Sequence, residues 1–185
     1  MTDDGRKRSI LEGIKRLHSV GVTSFQEAAS NTTILRALGE LDAAAELKMD
    51  VQTHIVYKPE HLAEESFKTL HQTLDNAANF QSKHVQTNFV KFMLDGVPLH
   101  PYYTHAGLTE SGEIDESKIQ IDDLAEAIAK FDARGMTCKV HCTGHGSTRR
   151  ALDVYEAVRK NNQAGPKHEI AHCSAVHDGE FRTII

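Results

Sequence analysis

Three residues of the 185-residue sequence combine a reactive side chain with an apolar, strand-like setting: Lys91 in NFVKFMLDG, His141 in KVHCTG and His172 in EIAHCS. A lysine among Phe89, Val90, Phe92 and Met93 is costly to bury as an ammonium ion, and burial lowers its pKa. Three outcomes stay open for it. The neutral amine can act as a Schiff-base nucleophile, it can combine with carbon dioxide to give a carbamate, or the ammonium can pair with an acid such as Asp95. A carbamate is a carboxylate on a long arm, able to bridge two metal ions. Two imidazoles from adjacent strands are a partial ligand set for Zn²⁺ or a similar cation, although each taken alone is more often a hydrogen-bonded core histidine. Strand alternation sorts the neighbours. With His141 inward, Cys138 and Cys142 face the helix layer; with His172 inward, Ile170 is expected inward too, and Cys173 against helices. The cysteines therefore read as small apolar packing residues.

These residues need strands to carry them and helices to separate the strands. Apolar spacing predicts a helix over 6–19, a strand over 22–27, a helix over 33–47 and a strand over 50–57. Pro59 opens a long amphipathic helix to about Asn79, followed by a strand over 88–94 and a long irregular segment to about Gln120. A helix over 121–133, with Asp122 and Asp123 in its first turn, precedes the strand 137–142. A helix over 147–160 and a strand over 168–173 follow, and 178–185 suffices to begin one more helix. Five strands, each preceded by a helix, predict an α/β protein with a parallel sheet. Doubly wound sheet and barrel both fit the alternation. No Gly-rich dinucleotide turn or P-loop follows any strand, which favours the barrel. In either case reactive residues collect at the C-terminal strand ends, where Lys91, His141 and His172 fall.

Composition narrows the class further. Hydrophobic residues make up 39% and charged residues 25%, an ordinary globular balance. A net charge of −5 offers no general attraction to nucleic acid or anionic membrane. No apolar run approaches the ~20 residues that span a bilayer, so the expectation is a soluble, cytoplasmic protein with no membrane partner. Three cysteines without framework spacing argue against a disulfide scaffold. Of the 12 histidines, His18, His54, His61, His71, His84, His168 and His177 fall on helices, mid-strand positions or connections and are read as structural or solvated. Lys139, two residues before His141, needs an acid partner such as Glu27, or an opening to water.

Several longer stretches, taken in order, resemble the amidohydrolase superfamily, in particular its branch of N-substituted formamide deformylase-like hydrolases. They are LHSVGVTSFQEA, VKFMLDG, the Pro-Tyr-Tyr loop, FDARGMTCKVHCTG, RRALDVYEAV and EIAHC. The resemblance implies a metal-dependent hydrolase on a (β/α)8 TIM barrel, cleaving a non-peptide C–N bond in a small amide or cyclic amide. It implies Lys91 as a carbamylated bridging lysine and His141 and His172 as imidazole ligands to zinc or another divalent metal. The loop with His100, Tyr102, Tyr103 and His105 would cover the substrate. Asp95, and His145 where relatives commonly carry aspartate, are candidates to support the ligands from outside.

The departures from the family pattern are specific. The His-x-His pair of the family's first strand occurs nowhere in this sequence, and the aspartate of its eighth strand would lie beyond Ile185. The resemblance thus covers about the second to sixth strands, with the first strand, the last two strands and the family's β-sandwich absent. Residues 1–185 are expected to be the central part of a longer enzyme, inactive as an isolated chain. A non-catalytic barrel fragment binding metal weakly or not at all is the competing expectation. Open sheet edges at the second and sixth strands are expected to drive self-association.

Overall fold

A computed structural model describes residues 2–180 of the chain. Its elements run α1 (Asp3–Ser19), β1 (Ser24–Ser30), α2 (Thr32–Ala43), β2 (Asp50–Lys58), α3 (Glu60–Ala63), α4 (Phe67–Asp75), β3 (Val85–Met93), α5 (Leu124–Ala133), β4 (Thr137–Cys142), α6 (His145–Asn161) and β5 (Glu169–His172). The five strands form one sheet in the order β1-β2-β3-β4-β5. Strand order that follows chain order, without the reversal of a doubly wound sheet, is that of a (β/α) barrel segment. The fold is therefore the expected α/β class, a partial TIM barrel of five strands.

The chain divides into two compact units, Met1–Val90 and Lys91–Ile185. In the first, β1 and β2 pair in parallel with Ser24 opposite Asp50, and the register shifts between Glu27 and Ser30. Its core gathers Ile14 of α1, Leu38 and Leu41 of α2, and Met49, Val51 and Val85. Each fully buried aliphatic side chain of this kind contributes about 1.5–3 kcal/mol relative to exposure. Side-chain caps set the helix starts: Thr2 accepts from Gly5 N, Asn31 from Ile34 N and Ser66 from Thr69 N. The single helix expected from Pro59 to Asn79 is instead two helices and a 3-10 turn (Ala77–Phe80). Glu64 adopts a left-handed φ of 55° and ends α3, and the Ser66 cap begins α4 anew.

In the second unit, β4 and β5 pair in parallel, with Lys139 opposite Glu169, His141 opposite Ala171 and Cys142 opposite His172. Every residue of β4 is buried. Cys138, Val140 and Cys142 share one face of it, while Lys139 and His141 share the other. Phe92 of β3 meets Phe131 of α5 edge to face at 6.2 Å. The Tyr155 hydroxyl of α6 donates to Glu169 O at 2.8 Å and fastens β5 to that helix. Beyond β5, Asp178–Glu180 forms a 3-10 turn, and the rest of the helix expected over 178–185 lies outside the described residues.

Candidate functional site

Lys91, on β3, is only 4% exposed. Its surroundings answer one question left open by its sequence. Asp95 is not its partner, and among the described residues Lys91 makes no hydrogen bond or ion pair. Burial, reinforced by the positive charge of Lys139 and opposed by Cys142, pushes the amine down to about 8 from 10.5. Lys139 is itself buried and pairs with Glu169 of β5 at 2.9 Å. The partner suggested from sequence, Glu27, instead accepts from Ala29 N on its own strand. The register explains the difference, since Lys139 and Glu169 are directly opposed on one face of the β4–β5 pair.

His141 is 3% exposed, and its Nε2 lies 2.8 Å from Gly96 O and 3.6 Å from Asp95 Oδ1. A carbonyl oxygen only accepts, so Nε2 carries the proton, and in the neutral ring Nδ1 keeps a lone pair. Burial is the main cause holding this imidazole below its ordinary pKa. The charge of Lys91 and the ring of His172 act in the same direction, against the Gly96 hydrogen bond and the charge of Asp95. The ring therefore stays neutral near pH 7, the form that ligates metals.

His172 meets His141 edge to face, with ring centroids 4.6 Å apart. Simple alternation does not produce this meeting. In the ladder Ile170 is opposite Val140 and His172 opposite Cys142, which is the helix-facing side. A cavity of about 1040 Å³ on that side is lined by Ile170 and Cys173 together with Leu152, Tyr155 and Arg159 of α6. The expectation that Ile170 and His172 share a face is thus corrected. His172 leaves strand geometry at φ 67°, and Cys173 follows at φ 48°. These two left-handed residues turn the imidazole off the helix side and toward His141. A left-handed non-glycine residue costs roughly 1–2 kcal/mol. Cys138 and Cys142 are fully buried with thiols pushed up by burial, which makes them core residues as expected.

Asp95 organises the strand ends more extensively than its sequence suggests. Its carboxylate is fully buried and accepts from Ala106 N (3.0 Å), Thr143 N (3.1 Å), Gly144 N (3.0 Å) and the Ser147 hydroxyl (2.7 Å). Ala106 O in turn accepts from Gly146 N at 2.9 Å, so the loop after β3 sits on the first turn of α6. That contact requires glycine at 144, where an added Cβ would lie 1.9 Å from Ala106 O. The sequence marks this close approach only by the Gly144-His145-Gly146 spacing.

The expected substrate loop projects from this anchor. Backbone bonds Gly96 N to Thr104 O (3.1 Å) and Thr104 N to Val97 O (3.0 Å) close its neck. Beyond the neck Leu99, Tyr102 and Tyr103 are exposed, at 66%, 82% and 49%. His100 is exposed and His105 half-buried, and Tyr103 lies between them at ring distances of 5.9 and 6.2 Å. The His105 Nδ1 is buried without a hydrogen-bond partner. His145 is exposed at the start of α6, with its ring 6.5 Å from that of His177. His168 is structural: Nδ1 accepts from Cys138 N, and Nε2 lies 3.1 Å from Asp132 Oδ1.

Among the described residues no three His, Cys, Asp or Glu side chains gather around one point as a metal cluster. The donor set present is the His141 and His172 imidazoles and one amine without a partner among the described residues. It fits a divalent cation as a partial site, and the amine joins the set only as its carbamate.

Strand-end lysine and histidines sit on a sequentially ordered parallel sheet, which defines an α/β protein of the barrel type. The sequence model of the amidohydrolase family matches residues 2–184, and the chain belongs to that family. Two solved structures match over 100% of this chain. One is an uncharacterized metal-dependent hydrolase from Pyrococcus furiosus, at TM-score 0.72 and 23% identity. The other is an uncharacterized metal-dependent hydrolase from Pyrococcus horikoshii OT3, at 0.73 and 20%. At these identities the likeness is one of fold. This chain spans 36% and 35% of their lengths, respectively. No curated protein matches it. No helix among the described residues is long and apolar enough to cross a membrane.

Proposed function

We propose that this chain carries part of the metal centre of a hydrolase acting on a non-peptide C–N bond, in a small amide or cyclic amide. The observation that carries the proposal is Lys91: an amine buried on β3, without a partner among the described residues, whose charge acts on a neutral histidine ligand candidate. A structural lysine is expected to hold a counter-charge, as Lys139 does. An unpaired one with a pKa of about 8 is, at pH 7, about a tenth neutral, against roughly 0.03% for an ordinary lysine. The neutral amine adds to carbon dioxide. Its nitrogen lone pair forms the N–C bond, one C=O π pair moves to oxygen, and one proton leaves to solvent, giving the carbamate anion.

His141 would present Nδ1 to a divalent cation such as zinc, its Nε2–H held by Gly96 O. His172 would present its ring from β5, and the carbamate of Lys91 would supply anionic oxygen. When bound, the cation supplies Lewis-acid activation of water and of the scissile carbonyl. The exposed Tyr102 and Tyr103, with His100 and His105, would close over the substrate from the anchored loop. The branch of N-substituted formamide deformylase-like enzymes is the reading we favour, on the VKFMLDG and FDARGMTCKVHCTG segments.

One observation favours a second reading. With no cluster of three His, Cys, Asp or Glu among the described residues, the chain alone would bind metal weakly and not turn over. Carbon-13 NMR in labelled bicarbonate with added Zn²⁺ separates the two. The leading reading predicts a carbamate resonance that disappears in Lys91→Met, and Zn²⁺ retained after removal of free metal. Absence of both leaves the second.

A further inference from the structure

Two acceptors at the end of β3 do different work at the strand ends. The carboxylate of Asp95 takes three backbone N–H groups and the Ser147 hydroxyl, from residues 11 to 52 positions later in the chain, with the Thr143 hydroxyl a further 3.3 Å contact. The adjacent carbonyl, Gly96 O, takes the His141 Nε2–H at 2.8 Å and the Thr143 hydroxyl at 2.7 Å, which fills both its lone pairs. Thr143 is shared, its N–H on Asp95 and its hydroxyl on Gly96. Movement of the carboxylate would therefore shift the carbonyl that holds the imidazole. Ala106 adds a second connection. Its N–H binds Asp95 while its carbonyl binds Gly146 N, and the loop bearing Tyr102, Tyr103 and His105 ends at that point. Gly96 fits closely within this arrangement, since a Cβ there would lie 2.1 Å from Thr104 Oγ1.

The geometry points to Asp95 as a positioning residue with two simultaneous effects. Through Gly96 O it fixes His141 in the tautomer that keeps Nδ1 free, and through Ala106 N it ties the 97–106 loop to that same imidazole. The purpose of the first effect rests on the ligand role proposed for His141; the hydrogen-bond linkage itself does not. Charge is essential to the device. An isosteric amide would turn an –NH₂ toward N–H groups that now find an acceptor, leaving buried donors unmatched.

The test is nitrogen-15 NMR of the histidine side chains in the metal-free full chain, comparing wild type with Asp95→Asn and Ser147→Ala. Wild type is expected to show His141 entirely as the Nε2–H form. Asp95→Asn is expected to give a mixture of tautomers at His141, with unchanged signals from His84 and His18. Ser147→Ala removes one donor from the carboxylate without altering charge and is expected to give a smaller change of the same kind. Should Asp95→Asn fail to fold, Ser147→Ala decides alone. A folded variant with His141 still wholly Nε2–H overturns the inference, as does a wild-type His141 in the Nδ1–H form. With Zn²⁺ as the ligand, Asp95→Asn is further expected to weaken binding about 10- to 100-fold. A tautomer shift in a protein that binds no Zn²⁺ would uphold the positioning role and reject the proposed function. Zn²⁺ binding unaffected by Asp95→Asn, with an unmoved tautomer, would do the reverse.

Discussion

Replacing Lys91 with methionine is expected to make the protein more stable, which is unusual for a charged residue on a central strand. Methionine keeps the volume and the unbranched stem, so the space that the lysine stem fills on β3 stays filled. What disappears is a buried ammonium ion with no counter-charge among the described residues. The fall in its pKa from 10.5 to about 8 corresponds to about 3 kcal/mol against the folded state whenever the amine is protonated. Between those two pH values the unfolded chain binds the proton and the folded chain does not. Stability contributed by this group therefore rises with pH from about 8 to 10.5 and is flat below. The assay is urea unfolding across pH 7–11 in buffer freed of carbon dioxide and metal. At pH 7 Lys91→Met is expected to gain up to about 3 kcal/mol, and its rise above pH 8 should be lost. Lys139→Met removes the like charge that helps depress Lys91, so the rise should persist but shrink. A methionine variant that is less stable at pH 7, with the same slope as wild type above pH 8, would refute the reasoning and imply a counter-charge for Lys91.

Other substitutions probe the strand-end architecture. Gly144→Ala places a methyl 1.9 Å from Ala106 O and should destabilise by about 1–3 kcal/mol, with faster hydrogen exchange confined to the 97–106 loop and the first turn of α6. His172→Gly relieves the left-handed backbone while deleting the imidazole. It is expected to keep or raise stability by up to about 1 kcal/mol and to lower Zn²⁺ affinity more than tenfold, read by thermal unfolding and calorimetry. β1 and β5 stand at the two ends of the described sheet order, each with one hydrogen-bonded neighbour. Sedimentation velocity is expected to show concentration-dependent self-association through those edges, and a monodisperse monomer at all concentrations would exclude it.

Much of this architecture was legible in the order of apolar runs. β4 was bounded correctly from TCKVHC, because alternation and flanking glycines mark a strand wherever the chain sits. Other features depend on interactions that side-chain pattern does not encode. The break between α3 and α4 follows from a left-handed Glu64, although Ser66 three residues before Thr69 was an available cap signal. The inward turn of His172 contradicts strict alternation, since period-two reasoning assumes extended backbone up to the last residue. Asp95 invited pairing with Lys91 four residues away in the chain. Its actual partners are mostly backbone N–H groups, which no residue type announces. Glu169 was missed as the partner of Lys139 because register between strands decides that contact. The histidines sorted more reliably. His168 and His84 each have an aspartate within 3.1 Å, which accounts for them without metal chemistry.

The central claim is that Lys91, His141 and His172 together hold a divalent cation. The most direct measurement is zinc content by elemental analysis after equilibration with Zn²⁺ and bicarbonate and removal of free metal. Wild type and the single variants Lys91→Met, His141→Ala and His172→Ala would be compared. The account predicts close to stoichiometric zinc in wild type, dependent on bicarbonate, and a large loss in all three variants. Zinc-free wild-type protein, or zinc retained equally by all three variants, would contradict it.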